Sequence, residues 1–186
     1  MKLLFILLCF LWICSEIFLT IYLRADKNNF KSKDNFSLLI LWVSISLSIT
    51  LSVYTSTNSN ILIYQTPEFS YLGLFFIFIG VCFRLLVVKY LGEYFTVNVT
   101  IKSNHKLIKN GYFKYIRHPS YTFSLITFLG LAIVLNNWVS LFLLLTPIFL
   151  AISYRIRIEE KVLIAEFGKE YLNYIEHTKK LIPYLY

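Results

Sequence analysis

Long apolar runs, separated by gaps of sharply different charge, constrain this chain more than any other feature. Five such runs recur along its 186 residues. Three of them reach the length of about 20 residues that a helix needs to cross the hydrocarbon core of a membrane. Because open sheets cannot lie in lipid, the pattern predicts an all-α integral membrane protein with about five transmembrane helices. The runs are Leu3–Tyr22, Phe36–Ser56, Phe69–Tyr90, Tyr121–Leu135 and Trp138–Ser153.

The Lys and Arg residues lie on one side of this predicted helix bundle. Of the 18 Lys and Arg residues, all except Lys2 and Arg84 follow the first run, flank the gap after the third, or occupy the tail. Cytoplasmic loops carry such an excess of basic residues, so we expect the N-terminus outside and the C-terminus in the cytosol. The high usage of Ile, Lys and Asn is typical of an AT-rich microbial genome, which favours a prokaryotic plasma membrane.

Composition excludes most other classes of protein. A hydrophobic content of 58% is too high for an ordinary soluble domain. The orientation of the chain in the membrane and its contact with anionic lipid headgroups account for the net charge of +8. We therefore expect membrane lipids but no nucleic acid as partners. The three Cys residues lie inside apolar runs without a C-x-x-C pair, so no metal site is expected. We expect one compact unit, with two helices over residues 1–68 and a core over 69–186.

Charged and turn-forming residues subdivide the predicted spans. Glu16 and Arg84 lie within the first and third runs, where charges are costly, so we expect a buried pair or an Arg84 side chain that reaches the inner surface. Asn136-Asn137 predicts a tight turn between the fourth and fifth spans. The fifth helix should continue into the cytosol through Glu166 and break at Phe167-Gly168.

The residues after this break predict a second, turn-rich helix over Lys169–Thr178. Several apolar side chains near the break recur at helical spacing. We expect this stripe to lie on the membrane surface as an interfacial anchor. Its members are Leu163, Phe167, Tyr171, Tyr174 and Ile175.

The longest segment outside the spans, Gly92–Ser120, is too long for a passive connector. Alternation of β-branched and polar residues predicts a short extended segment over Phe95–Ile101. Pro119 is well suited to the first turn of the next helix. Free backbone N–H groups at that helix start, beside His118, would favour an anion such as a carboxylate.

A second polar motif lies at the inner end of the fifth span. Arg155 and Glu159 are four residues apart and share one helix face, which is consistent with a simple ion pair. Alternatively, a carboxylate here holds a cationic ligand group and the arginine orients an anionic substrate. Both motifs lie on the expected cytosolic side, so we expect them to form one pocket there, between the loop before helix 4 and the extension of helix 5.

With these two motifs the chain resembles the isoprenylcysteine carboxyl methyltransferase family and its bacterial relatives, which are related to the phospholipid methyltransferases. The resemblance covers roughly residues 70–184 and rests on motifs in matching order and spacing. These are Leu91-Gly92-x-x-Phe95-Thr96-Val97-x-Val99, His105-x-Leu107-Ile108, Gly111, Arg117-His118-Pro119-Ser120-Tyr121, Glu159-Glu160 and Phe167-Gly168-x-x-Tyr171.

The resemblance implies a methyltransferase that uses S-adenosylmethionine on a lipid or prenylated acceptor, with carboxyl O-methylation of an isoprenylcysteine-like substrate as the expected reaction. Arg155 would orient the substrate head group, and Glu159 would pair with the cofactor's ammonium. The residues implied in cofactor binding are Asn98, His105, Lys106, Leu107, Ile108, Phe113, His118, Pro119, Ser120, Tyr121 and Glu159.

Two residues depart from the family pattern. Phe113 stands where the family usually has Tyr, so a hydroxyl contact is lost. Phe123 stands where the family usually has Gly, and we expect its ring to narrow the space beside the cofactor or the lipid entrance. Three alternatives stay open: a phospholipid N-methyltransferase with His118 or Glu160 as base, a membrane NADPH-dependent sterol-type reductase, and a non-catalytic membrane scaffold.

Overall fold

The computed structural model describes residues 2–22, 35–95, 106–183 and 185–186, and over this part of the chain it consists of helices without named strands. Four helices are long and apolar enough to span a membrane, and a fifth apolar helix is shorter. The predicted all-α membrane fold is therefore confirmed. In chain order the helices are α1 (Lys2–Tyr22), α2 (Asn35–Asn58), α3 (Phe69–Leu91), the shorter α4 (Pro119–Leu135), α5 (Trp138–Phe167) and α6 (Lys169–His177).

Helices α3 and α4 are antiparallel, and glycine residues at their crossing let the two backbones touch. A Cβ atom added to Gly80 would lie 2.2 Å from the Thr127 hydroxyl oxygen and 2.7 Å from the Thr127 backbone nitrogen. One added to Gly130 would lie 2.6 Å from the carbonyl oxygen of Gly73. Small residues let helix backbones approach closely in a membrane, where lipid supplies no hydrophobic drive for association.

Helices α2 and α5 are joined by reciprocal hydrogen bonds in the membrane. The Ser52 hydroxyl donates to the Ser140 carbonyl at 3.0 Å, and the Ser140 hydroxyl donates to the Ser52 carbonyl at 2.7 Å. At the other end of α2, Arg155 of α5 donates to the Ser37 hydroxyl at 2.9 Å. The two helices are therefore antiparallel and in contact along most of their length.

The predicted tight turn between α4 and α5 is present at Asn136-Asn137. Asn136 has a left-handed backbone (φ 48°), which Asn tolerates better than most residues. Its side-chain oxygen accepts hydrogen bonds from the backbone N–H groups of Ile63 and Tyr64. The Asn137 side chain caps α5 by accepting from the Ser140 N–H at 3.0 Å. This turn therefore fixes the connection between α2 and α3 as well.

Helix α1 lies against α3 and α4, where an ion pair joins it to the bundle. Arg84 donates to both carboxylate oxygens of Glu16, at 2.6 and 3.0 Å, and its third nitrogen donates to the hydroxyls of Ser120 and Ser124 at 2.8 Å each. Of the two expectations for these charges, the pair is confirmed, and both side chains are half-buried, with 16% exposure for Arg84 and 21% for Glu16. Trp12 adds an edge-to-face contact with Phe128 at 5.0 Å between ring centroids.

The break between α5 and α6 lies where the sequence predicts it. Gly168 has φ 52° and ends α5, because only glycine adopts this left-handed conformation without strain. Helix α6 then runs from Lys169 to His177 and turns back toward the start of α4. The returning chain therefore covers the helix ends that adjoin the basic segments.

Candidate active site

The start of α4 is closed by the segment that follows α6. Ile116 and Lys179 form a parallel bridge, and the backbone N–H groups of Arg117 and His118 donate to the carbonyls of Lys179 and Lys180 at 2.8 and 3.0 Å. One turn into α4, the N–H groups of Tyr121 and Thr122 donate back to the His118 carbonyl. These four donors are therefore already used by the protein. The Ser120 N–H is not among them, so the predicted anion contact at this helix start stays a prediction.

A buried charge cluster holds this closure in place. Arg117 donates to Glu160 at 2.8 Å and also to the backbone carbonyls of Ile175 and Thr178. The Glu160 carboxylate also lies 3.6 Å from the Lys180 ammonium. A buried charge is stable only when it is paired and hydrogen-bonded, as both members are here. Glu160 thus ties α5 to α4 and to the tail, and it is not among the residues that line the cavity described next.

Beside this cluster lies a cavity of about 680 Å³. It brings together residues from the loop before α4, the start of α4, and α5, as the sequence predicted. All the candidate residues within the described part of the chain line it. They are Lys106, Leu107, Ile108, Phe113, His118, Pro119, Ser120, Tyr121, Arg155 and Glu159. The other two candidates, Asn98 and His105, lie outside the described residues, as does the predicted extended segment beyond Phe95.

The adjacent carboxylates of α5 have different surroundings. The Glu159 side chain retains 32% exposure and the Glu160 side chain 11%. The His118 ring lies between them, with Nδ1 3.9 Å from Glu159 and Nε2 3.4 Å from Glu160. Within the described residues Nε2 is buried without a hydrogen-bond partner. Glu159 is therefore accessible to a ligand in the cavity, whereas Glu160 is committed to the protein.

Tyr121 connects Arg155 to Glu159. The Tyr121 hydroxyl accepts a hydrogen bond from Arg155 Nε at 2.9 Å and donates one to Glu159 Oε2 at 3.1 Å. Arg155 is buried and also donates to Ser37 at the start of α2. The sequence suggested an i,i+4 ion pair between Arg155 and Glu159, and the structure inserts a phenol between the two groups. Both charges are thereby held in fixed positions on the cavity wall.

Away from these polar groups the cavity is apolar and extends far between the helices. Helices α1 and α2 form one side of it, and α4 and α5 form the other. The Glu16–Arg84 pair lies in its wall next to Ser120. The apolar lining includes Trp12, Ile45, Ile49, Val53, Phe128, Leu131 and Ile152. One continuous space therefore joins a charged end to a long apolar end.

Helix α6 contributes two tyrosines to the interior. Tyr171 is 1% exposed, and the Tyr174 hydroxyl donates to the Phe113 carbonyl at 2.6 Å. Burial raises the pKa of both phenols, and the neighbouring Glu160 and Glu159 carboxylates raise that of Tyr171 further. The prediction that this stripe lies on the membrane surface is wrong for both residues, because they pack inward and line the cavity.

The two departures from the family pattern occupy different places. Phe113 is buried and lines the cavity, with its ring 6.4 Å from that of Tyr90. Phe123 stacks on Phe83 at 5.1 Å and is not among the lining residues. Of the two places that Phe123 was expected to narrow, the prediction for the space beside the cofactor is therefore wrong, because the ring packs on Phe83 of α3. Narrowing of the lipid entrance stays a prediction.

Sequence reasoning missed Ser37, Tyr171 and the role of Arg117. Ser37 lies 118 residues from Arg155, and no local pattern marks a serine at the start of an apolar run as its partner. Tyr171 belongs to a motif that the sequence did reveal, and its spacing of three residues from Gly168, which matches the family pattern, was the available signal. Arg117 belongs to a quoted motif, but its partner Glu160 is 43 residues away, and no local pattern marks the two as a pair.

Comparison with known proteins gives one consistent family. A model of the isoprenylcysteine carboxyl methyltransferase (ICMT) family matches residues 71–165. A probable protein-S-isoprenylcysteine O-methyltransferase from Oryza sativa subsp. indica is 33% identical over 118 residues, 62% of this chain and 62% of the rice protein. The protein-S-isoprenylcysteine O-methyltransferase of Saccharomyces cerevisiae is 28% identical over 179 residues, 90% of this chain and 75% of the yeast protein.

The fold also matches a solved structure, that of the eukaryotic intramembrane Ras methyltransferase ICMT. The TM-score is 0.61 at 23% identity, and the match covers 80% of this chain. At this identity the likeness concerns the fold alone. The chain spans 51% of that solved chain and 62% of the rice relative.

Proposed function

Because the chain belongs to the isoprenylcysteine carboxyl methyltransferase family, we propose that it is an S-adenosylmethionine-dependent methyltransferase that esterifies the carboxylate of an isoprenylcysteine-like lipid. The observation that carries this proposal is the continuous cavity. Its charged end, with Glu159 and Arg155, suits a polar cofactor and an acceptor carboxylate, and its apolar end suits a prenyl chain.

The residues at the charged end fit S-adenosylmethionine. Glu159 is exposed to the cavity and offers a counter-charge for an ammonium group. His118 lines the same end of the cavity, with Nδ1 3.9 Å from Glu159, whereas its Nε2 faces the protein-bound Glu160. Phe113 and Tyr121 present aromatic rings to an adenine or a sulfonium. When bound, the cofactor supplies an electrophilic methyl group on a positively charged sulfur.

Arg155 orients the acceptor in this proposal. Its guanidinium is held by Tyr121 and Ser37, so its position is set before any substrate arrives. A carboxylate is already ionised at neutral pH, and its methylation requires no general base. The protein then contributes alignment of the two reactants and exclusion of water.

Methylation of a lipid amine, the alternative reaction, requires an additional proton transfer at the site. A protonated lipid amine must lose a proton before it attacks. Glu160, one of the two bases suggested by the sequence, is bound by Arg117 and is not among the cavity-lining residues. His118, the other suggested base, lines the cavity, so an amine acceptor would depend on His118 to take its proton.

The membrane setting follows the same proposal. The lipid-tailed acceptor enters between helices and the cofactor enters from the cytosol, with the N-terminus outside. We keep the division into residues 1–68 and a core over 69–186 as a proposal, although α1 and α2 also line the cavity. The prokaryotic plasma membrane rests on composition alone, and the relatives named above are eukaryotic.

Binding of S-adenosylhomocysteine to the purified chain in detergent tests the cofactor site. We expect Glu159→Gln to weaken calorimetric affinity roughly tenfold or more, because a hydrogen bond to a charged group is lost. Glu170→Gln is the matched control, since Glu170 pairs with Lys109 at the surface and is not a lining residue. Equal affinities of the two variants would contradict the proposal, as would selective binding of NADPH or binding of neither ligand.

A second measurement tests the acceptor. The chain is incubated with radiolabelled S-adenosylmethionine and an S-prenylated cysteine, and the lipid fraction is then treated with alkali. A methyl ester releases its label as volatile methanol, whereas a methylated amine retains it. Label that survives alkali would replace the carboxylate with an amine acceptor.

A further inference from the structure

The Tyr171 hydroxyl is a buried polar group that makes no hydrogen bond to the described part of the protein. It lies in a side chain that is 1% exposed, and within the described residues it has no hydrogen-bond partner. A buried hydroxyl without a partner has lost its hydration and costs free energy. The neighbouring Tyr174 on the same helix shows the usual solution, since its hydroxyl donates to a carbonyl.

The position of Tyr171 indicates which kind of group its hydroxyl contacts. The residue lines the cavity together with Glu159 and His118. Burial and the carboxylates of Glu160 and Glu159 raise its pKa, so the phenol keeps its proton and offers a donor. Glu160 already has Arg117, His118 and Lys180 around it. A ligand in the cavity can supply the acceptor that this donor lacks.

We propose that Tyr171 donates a hydrogen bond to the carboxylate of the cofactor's methionine moiety, while Glu159 receives the ammonium of the same moiety. This inference rests on the proposed function, and it moves the carboxylate contact from the backbone of α4 to a side chain of α6. The backbone N–H groups of Arg117, His118, Tyr121 and Thr122 already have protein partners. A zwitterion requires both an acceptor and a donor, and Glu159 and Tyr171 supply them.

The assignment makes two opposite predictions for Tyr171→Phe. Without ligand, the variant melts at the wild-type temperature or above it, because it removes a hydroxyl that has no partner. With ligand, it binds S-adenosylhomocysteine roughly tenfold more weakly. Tyr174→Phe is the matched control, and it should melt lower because the Phe113 carbonyl loses its donor.

A second ligand identifies the group that Tyr171 contacts. Decarboxylated S-adenosylhomocysteine keeps the ammonium and the adenosine but lacks the carboxylate. We expect the wild-type chain to prefer the complete ligand in calorimetry, and we expect Tyr171→Phe to lower that preference roughly tenfold. The ratio of the two affinities should stay unchanged in Tyr174→Phe, whatever happens to each affinity.

The outcomes separate the two claims. An unchanged ratio in Tyr171→Phe, with both ligands weakened or neither, overturns the assignment of the carboxylate and leaves the proposed function intact. Failure of the wild-type chain to bind S-adenosylhomocysteine overturns the proposed function and this inference together. A ratio that falls in Tyr171→Phe alone, with melting at or above the wild-type temperature, supports the inference.

Discussion

The α3–α4 pair and helix α1, which both contribute residues to the cavity, are held very differently. Where α3 meets α4, backbones approach so closely that a single methyl group at Gly80 would collide with Thr127. Helix α1 packs loosely, since Leu19 is its one buried hydrophobic residue among those described and more than half of its residues are exposed. Among the described residues its hydrogen bonds to other helices all join Arg84 to Glu16. The charged site therefore lies on a rigid framework, whereas the apolar space has one lightly held wall.

The largest effect is expected from breaking the rigid side. Gly80→Leu places a branched side chain where a Cβ alone would lie 2.2 Å from Thr127. Overpacking costs typically about 1–3 kcal/mol and more where backbones collide, so we expect little folded protein in size-exclusion chromatography. Phe75→Leu is the control, since Phe75 lies on the same helix and is exposed. A monodisperse Gly80→Leu peak at the wild-type yield would contradict the rigid crossing.

A smaller and local effect is expected from loosening α1. Glu16→Gln removes the charge that balances Arg84, while Ser120 and Ser124 still accept from the guanidinium. Cys9 lines the cavity from α1 and reports on its attachment. We expect a maleimide to label Cys9 roughly fivefold faster in Glu16→Gln, because the free energy that holds α1 against the bundle falls by about 1 kcal/mol.

Cys82 on α3 is the internal reference for this measurement, because it lies on the rigid side. Its labelling rate should change less than about twofold in Glu16→Gln, which corresponds to a change in local stability of less than about 0.5 kcal/mol. Equal acceleration at both cysteines would mean that the whole bundle opens, and the distinction between the two sides would fail.

The smallest effect is expected at the position where the family usually has glycine. Phe123 packs on Phe83, so Phe123→Leu should cost less than about 1.5 kcal/mol of stability. Affinity for S-adenosylhomocysteine should stay within about twofold. Phe113→Leu makes the matched change on the cavity side and should weaken binding about two- to tenfold, because an aromatic contact contributes about 0.5–1.5 kcal/mol. Weaker binding in Phe123→Leu would place its ring in the site.

Prediction from sequence worked where one residue type dictates local geometry. Pro119 begins α4, Asn136 makes the turn between α4 and α5, and Gly168 separates α5 from α6. It also worked for the meeting of the two polar motifs, since His118 and Glu159 lie 3.9 Å apart at one cavity. The family's motifs carried that second prediction, because spacing alone does not reveal which helix ends meet.

Prediction was wrong where the environment of a side chain depends on distant segments. An amphipathic stripe such as that of Tyr171 and Tyr174 fits a membrane surface and a protein interior equally well. The contact between Tyr174 and Phe113, 61 residues apart, decides between them. The phenol between Arg155 and Glu159 likewise comes from another helix, so the four-residue spacing favoured an ion pair that the fold replaces.

The bridge between Ile116 and Lys179 has a consequence for how the molecule is made. Arg117 finds its carbonyl partner on Thr178, 61 residues further along the chain. At about 5–20 residues per second of translation, several seconds separate the emergence of the two. During that interval α4 and α5 are still being synthesised, and the guanidinium is without its final surroundings. Closure at the start of α4 therefore waits until the last apolar helix has left the ribosome.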